Sequence, residues 1–377
     1  MTNSASEKVQ DALSDAVAQG VFPGVQCTVQ IRGEDGWKAQ TFTAGSTAWP
    51  DSPELTTEIY PVQPSTWFDV ASLTKALSTS VLLGVALEAG VLSCDTKLKD
   101  YFPELPQADE ITVGLLARHR SGLIDHLPFF KDAWTARRAG EEMNPTRFRE
   151  LIIRGLAGRP LESPVGSQTL YSDPGYILLG WILEAALGDS LSTLFRAKVA
   201  GALGCETLAF DVPIVREVAL TERGEDGIWL KGRVHDENAR ELGGVAGHAG
   251  LFGTSEGVSA LIAHLDDIAE GQIECSSAIL RQSTVQRLWE PYLGERFTLG
   301  WDTPSEPSSS GRYTTRGHSV GHLGFTGCSV WHDRVRKVTI TLLSNRVHPT
   351  RENWKIKHFR PVFHDLVNSS FVPSFDR

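Results

Sequence analysis

The sequence predicts a mixed α/β fold of the α+β kind. An antiparallel sheet is assembled from both termini and flanked by helices, with a mostly helical domain inserted between its halves. Three observations carry this. Segments 24–32 and 37–44 are rich in Val, Ile, Thr and aromatic residues and read as strands. Near the end, Val338, Ile340 and Leu342 alternate with Thr339 and Thr341, the period of two of a strand. Between them, residues 72–260 alternate helical patterns with Gly- and Pro-containing loops. The expected division is a sheet domain of 1–70 and 261–377 and a helical domain of 71–260, with a site at their junction.

The elements follow in order. Ser4 and Glu7 form a capping-box pattern, and Val9, Ala12, Leu13, Ala16 and Val17 then make one helical stripe that Gly20 can end. After the two strands, residues 50–66 hold four prolines and read as a loop. From Ser72 the pattern turns helical. Leu73, Ala76, Leu77, Val81, Leu83, Val85 and Leu87 are apolar nearly all round, as in a buried helix. Helical patterns recur at 113–117, 147–155 and 176–187. The Ser-rich stretch 304–311 reads as a surface loop, 325–332 and 337–343 as strands, and 352–368 as a closing helix.

Composition excludes several classes of function. Of 377 residues, 41% are apolar and 22% charged, values of a folded globular chain. The net charge of −10 without a basic run argues against nucleic-acid binding. The apolar stretches 81–87 and 177–183 are far shorter than the ~20 residues of a membrane-spanning helix. Cys27, Cys94, Cys205, Cys275 and Cys328 are odd in number and widely spaced, so neither a disulfide framework nor a zinc knuckle is supported. The first eight residues hold no apolar signal core. Taken as a native terminus they predict a cytoplasmic protein, and a periplasmic or secreted one if a signal peptide has been removed.

Four segments are candidates for chemistry. In Ser72-Leu73-Thr74-Lys75, a helix opening at Ser72 puts Lys75 one turn on, on the same face. A buried lysine amine there can take the serine proton. The spacing recurs by chance; its setting makes it informative, with the apolar lead-in 66–71 before it and a buried helix after it. Gly317-His318-Ser319-Val320-Gly321 is a literal G-x-S-x-G, but that motif needs a hydrophobic strand before it and a helix after it. Here a polar stretch precedes and strands follow. The Gly-dense run 243–253 lacks the Gly-Lys-Ser/Thr of a phosphate loop and reads as a tight turn close to another backbone. His235, Asp236 and His248 are metal-ligand types without metal-ligand spacing, so histidines that tie loops together are the plainer reading.

Phe68-Asp69-Val70-Ala71-Ser72-Leu73-Thr74-Lys75 resembles the nucleophile motif of the serine β-lactamase and penicillin-binding protein superfamily. The similarity is to the branch of class C β-lactamases, D-alanyl-D-alanine peptidases and related esterases. Further segments follow in the family's order: 115–123, Tyr171-Ser172-Asp173, 250–255, His322-Leu323-Gly324 and 345–349. The run 234–239 with the Gly-dense segment resembles a penicillin-binding-protein-4B-like subgroup. The resemblance covers roughly residues 8–370 and implies the β-lactamase/transpeptidase fold.

It also implies roles. Ser72 would form the acyl-enzyme, and Lys75 would activate it and hold Tyr171 at a low pKa. Tyr171 would shuttle the proton, and the N–H groups of Ser72 and Phe325 would form the oxyanion hole. Gly324 would line the substrate site. No metal or cofactor is implied. Asp173 departs from the family's Asn, and an ionised Asp cannot donate to a substrate's acylamide carbonyl. His322 departs from the family's Lys, so Arg316 or Arg351 is the expected replacement cation. The resulting expectation is a serine hydrolase of esters, peptides or β-lactams, best as an esterase or amidohydrolase with at most weak β-lactamase activity. D-alanyl-D-alanine carboxypeptidase, true class C β-lactamase and a non-catalytic binding protein are the alternatives. The presence of Ser72, Lys75 and Tyr171 together argues against the last. The expected partner is a small-molecule or peptide substrate.

Overall fold

The structure is a computed structural model and describes residues 3–371 other than 56, 213–216, 274–278, 292–293, 306–307, 313 and 315–316. The chain opens with α1 (Asn3–Ala18), β1 (Gly24–Gly33), β2 (Gly36–Gly45) and β3 (Phe68–Asp69). A π-helical segment, Lys75–Ser80, runs straight into α2 (Val81–Glu88). The middle of the chain carries α3 (Val113–Ala117), α4 (Phe129–Arg138), α5 (Pro145–Ala157), α6 (Asp173–Leu187), α7 (Leu191–Phe195) and α8 (Gly201–Leu203). Then come β4 (Leu208–Ala209), α9 (Glu237–Glu241), β5 (Phe252–Gly253), α10 (Ser255–Ala269) and α11 (Gln282–Trp289). The chain closes with β6 (Ser319–Leu323), β7 (Ser329–Asp333), β8 (Val338–Ser344) and α12 (Ile356–Phe371).

The main sheet has the order β2-β1-β8-β7-β6, antiparallel throughout, so its first two strands and last three come from opposite ends of the sequence. Strand alternation sets its two faces. Val25, Cys27 and Val29 lie opposite Ser344, Leu342 and Ile340, and this face packs on Val9 and Leu13 of α1 and Phe363 and Val367 of α12. The other face is polar yet buried. It meets α10 through paired hydroxyls: Thr28 with Ser255 at 2.7 Å and Thr341 with Ser259 at 2.8 Å. Buried hydroxyls that pair in this way avoid the penalty of lost hydration. α10 therefore packs on the sheet, and the boundary expected at 260/261 falls inside it.

The helical region surrounds one large core that includes Leu77, Val81, Phe148, Ile177 and Leu178. Residues 75–80 are all buried, as the all-round apolar pattern after Ser72 requires. The Gly-dense run does pass close to another backbone. A Cβ on Gly247 would lie 2.1 Å from the Tyr176 carbonyl oxygen, and one on Gly180 would lie 2.9 Å from the Gly247 Cα. This contact against α6 aims the Gly247 carbonyl at Thr79 Oγ1, 2.6 Å away, and the next carbonyl at Lys75.

Three local expectations change. β6 was not foreseen, and it holds Ser319 as its buried first residue rather than at a strand-to-helix elbow. The strand expected over 325–332 begins only at Ser329, because Gly324–Gly327 close a turn (Gly327 N–H to Gly324 O, 3.0 Å) with Gly327 at φ +103°. The Ser-rich stretch is not simply surface, since Ser310 is fully buried. Among the described residues no single helix is long and apolar enough to cross a membrane.

The close approach at Gly247 is testable. Gly247→Ala should lower unfolding stability by ~1–3 kcal/mol, the range for overpacking a filled interior. Gly33→Ala, whose methyl would meet only Gly36 O at 3.9 Å, should shift it by ~0.5 kcal/mol or less. Urea midpoints of the two variants make the comparison, and equal midpoints would contradict it.

Candidate active site

The segment before Ser72 is held by one buried carboxylate. Asp69, at the end of β3, accepts the Ala71 N–H at 2.8 Å and the His235 N–H at 2.6 Å. Ala71 has φ +49°, uncommon for a residue with a side chain, and the Asp69 bond fixes it there. The chain then turns into the helix: Thr74 Oγ1 donates to Ala71 O at 2.6 Å, and Lys75 N–H bonds Ser72 O at 3.1 Å. Lys75 follows one turn after Ser72 on the same face, as the spacing predicts.

Lys75 is fully buried, and its ammonium uses all three donors. They reach Ser72 Oγ at 3.0 Å, Asp173 Oδ1 at 2.7 Å and the His248 carbonyl at 3.0 Å. The ring centroid of Tyr171 lies 4.9 Å away. Burial disfavours the ammonium, but Asp173 and Tyr171 outweigh it, and the Lys75 pKa lies above its ordinary value. Asp173 opens α6 behind the Ser172 cap, where the helix dipole also favours a carboxylate. Against its burial, Lys75 and His126 hold its carboxyl well below the usual range. His126 Nδ1 lies 3.6 Å from Asp173 Oδ2, and that contact raises the His126 pKa.

Lys75 and Ser72 both act to lower the Tyr171 pKa. Burial raises its pKa, Asp173 adds to that, and Lys75 and Ser72 only partly offset it. The low-pKa tyrosine that the resemblance implies is therefore corrected: the resting site holds a neutral phenol beside a charged lysine. His119, from the segment 115–123, stacks on Tyr171 with ring centroids 4.4 Å apart. Its Nδ1 accepts the Ser172 N–H at 3.0 Å, and burial keeps it neutral.

The end of β6 comes against the Ser72 segment. A Cβ on Gly324 would lie 2.6 Å from Val70 O, and Thr326 Oγ1 donates to Asp69 O at 2.8 Å. Phe325 is carried between these two contacts. Neither its N–H nor that of Ser72 has an acceptor among the described residues, and both residues line one cavity of about 780 Å³. His322 is not in that lining. It sits buried behind Tyr171, Nδ1 on Leu323 O at 2.8 Å, its pKa lowered to about 3 by burial and then by Lys75. It carries no charge for a substrate at neutral pH. Arg316 lies outside the described residues, as does Cys275. Arg351 lines the cavity, but Glu222 and Glu237 engage its guanidinium at 2.5 and 2.6 Å. The free cation expected there is already neutralised.

His235, Asp236 and His248 divide into separate pairs: His235 with Glu222 at 2.7 Å and His248 with Asp236 at 2.8 Å. Among the described residues no group of three His, Cys, Asp or Glu side chains could hold a metal ion. The site's unforeseen members are His126, His119, Glu222 and Arg346. Arg346 is 2% exposed and clamps the Phe325 carbonyl from Nε at 2.9 Å and Nη2 at 2.6 Å. His119 and Arg346 lie in the segments 115–123 and 345–349 that the resemblance includes, but were not singled out; His126 and Glu222 lie in none of its segments, and only the folded contacts link them to Ser72.

The profile of the Beta-lactamase family matches residues 9–358. An N-acetylmuramyl-L-alanine amidase of Bacillus subtilis (strain 168) is 27% identical over 370 residues, covering 90% of this chain and 81% of that protein. A putative D-alanyl-D-alanine carboxypeptidase of Escherichia coli (strain K12) is 28% identical over 307 residues, 75% of this chain and 70% of that one. A class C β-lactamase crystal structure superposes with a TM-score of 0.71 at 19% identity, over 98% of this chain and all of that one. With its β-lactamase/transpeptidase fold and a family profile that spans nearly its whole length, the chain belongs to the Beta-lactamase family and is a serine hydrolase.

Proposed function

We propose that the protein hydrolyses esters and amides through an acyl-enzyme on Ser72, and that it is a poor β-lactamase. One observation carries this reading: the Lys75 ammonium bonds Ser72 Oγ and Asp173 together, in a cavity also lined by Phe325, and the N–H groups of Ser72 and Phe325 have no acceptor among the described residues. Ser72 Oγ attacks the carbonyl carbon while its proton passes to Tyr171 in the ionised form. Lys75 stays charged and stabilises that phenolate. The oxyanion is received by the N–H groups of Ser72 and Phe325; one such donor is typically worth ~10²–10³ in rate. Tyr171 then gives its proton to the leaving oxygen or nitrogen, and the carbonyl re-forms as the acyl-enzyme. Water attacks the acyl carbon, Tyr171 takes its proton, and Ser72 is released with the proton returned. The two named relatives, an amidase and a carboxypeptidase, support amides within the substrate class.

Asp173 shapes substrate choice. As a carboxylate it presents acceptors only, so the acylamide carbonyl of a typical β-lactam finds no donor there. A missing hydrogen bond to a buried group costs ~1–3 kcal/mol, roughly tenfold to a hundredfold in rate.

Ser72→Ala should abolish the phosphonyl adduct seen by intact mass after a fluorophosphonate and reduce p-nitrophenyl acetate turnover by ~10³-fold or more. Ser319→Ala should keep most activity, since Ser319 is buried in β6. The reverse pattern would overturn the assignment. Asp173→Asn should raise the ratio of kcat/KM for nitrocefin to that for p-nitrophenyl acetate, even if both values fall. A ratio unchanged or lowered would remove Asp173 from substrate choice.

A further inference from the structure

One wall of the cavity that holds Ser72 is cationic, and its cations make no ion pair among the described residues. It is formed by Arg346, Lys357 and Arg360, together with the rings of Phe325 and Trp354. Arg346 lies between the two rings, its guanidinium carbon 4.6 Å from the Phe325 centroid and 4.5 Å from that of Trp354. All its hydrogen bonds go to carbonyls: those of Phe325, Arg351 and Asn353. Arg360, on α12, is 7% exposed and makes one long bond, Nη1 to Cys328 O at 3.3 Å. Its Nε is buried without a partner; its Nη2 has no partner either and is not buried, so it is left to the cavity. Lys357 lies over the Trp354 ring at 4.2 Å and is exposed. Among the described residues, none of the three cations meets a carboxylate.

Buried guanidinium groups are ordinarily paired. These two are instead pushed down to about 10, by burial in both cases and, for Arg346, by Arg360 and Arg351 as well, which the more distant Glu222 and Glu352 only partly offset. The neighbouring Cys328 thiol, raised to about 11 by burial, supplies no anion. Arg351, on the same wall, already has Glu222 and Glu237. A polypeptide that neutralises one arginine twice and leaves two beside it unpaired has kept positive charge available in its own cavity.

We propose that this wall is a carboxylate subsite, and that the substrate carries a carboxylate at a distance from the scissile carbonyl, seated on Arg360 Nη2 and Lys357 Nζ beside the Phe325 and Trp354 rings. Two unpartnered donor groups suit the two oxygens of a carboxylate. Arg346, its donors spent on carbonyls, supplies field rather than contact. The subsite takes over the charge recognition that neutral His322 and paired Arg351 do not provide. This inference rests on the acyl-enzyme reading of Ser72.

The test compares matched chromogenic esters. One series carries the carboxylate in the acyl part, as p-nitrophenyl monoesters of dicarboxylic acids against neutral alkyl esters of equal length. The other carries it in the leaving group, as acetylated hydroxybenzoates against their methyl esters. The expected result is a preference in kcat/KM of roughly tenfold or more for the carboxylate in at least one series, the scale of a charged hydrogen bond. In Arg360→Gln and in the exposed variant Lys357→Gln that preference should shrink toward one, and it should weaken as salt rises. Melting temperatures report whether Arg360→Gln is folded, and Lys357→Gln carries the test if it is not. Equal rates in both series, or a preference that both variants retain, would overturn the subsite. Fluorophosphonate labelling of Ser72 in the wild type separates the two failures: labelled protein without carboxylate preference loses the subsite alone, and unlabelled protein loses the acyl-enzyme reading beneath it.

Discussion

A lysine ammonium with no exposure to solvent is the constraint on which this site is built. Leaving such a charge uncompensated would cost several kcal/mol, so each of its donors has an assigned acceptor. Asp173 supplies charge, Ser72 supplies its hydroxyl oxygen, and the His248 carbonyl supplies the third bond. The last explains the Gly-dense run. Only residues without Cβ let the loop at Gly247 press against α6 and present that carbonyl. The cap at Ser172 and the start of α6 serve the same end, since they set Asp173 opposite Lys75. Three segments far apart in sequence thus meet at one nitrogen.

The same pair decides which group can move protons. An Asn at position 173 would be neutral, whereas the Asp here keeps Lys75 charged, which in the proposed mechanism leaves Tyr171 as the proton carrier. Tyr171 is itself raised by burial and by Asp173. In the proposed mechanism the ionised tyrosine is therefore a minor form at neutral pH, which suits activated esters better than amides with poor leaving groups. His126, partly exposed, approaches Asp173 at its other oxygen, and that contact raises the His126 pKa.

Much of this was legible in the sequence, for identifiable reasons. β1 and β2 follow from their richness in Val, Ile, Thr and aromatic residues, β8 from its period of two, and α6 from its helical pattern. Ser72 and Lys75 stand out because an apolar lead-in and a buried helix bracket them. β6 was missed because it is five residues long, contains Gly321 and His322, and follows a polar stretch. The pairing of Arg351 with Glu222 spans 129 positions, and no local pattern announces it. The tyrosine's raised pKa was out of reach for a similar reason: it depends on how completely Tyr171 is enclosed by His119, Phe297 and His322, which only the fold determines.

The central claim is that Asp173 keeps Lys75 charged and Tyr171 raised, so that acylation waits on deprotonation of this pair. The most direct measurement is the pH dependence of the rate at which a fluorophosphonate phosphonylates Ser72, with loss of fluoride, in the wild type and in Asp173→Asn. Asp173 raises both pKa values, so removing its charge lowers both, whichever group releases the proton. The account predicts a wild-type rate that climbs from neutral into alkaline pH and a variant whose climb is displaced to lower pH. A variant profile that coincides with the wild type, or moves to higher pH, would contradict it.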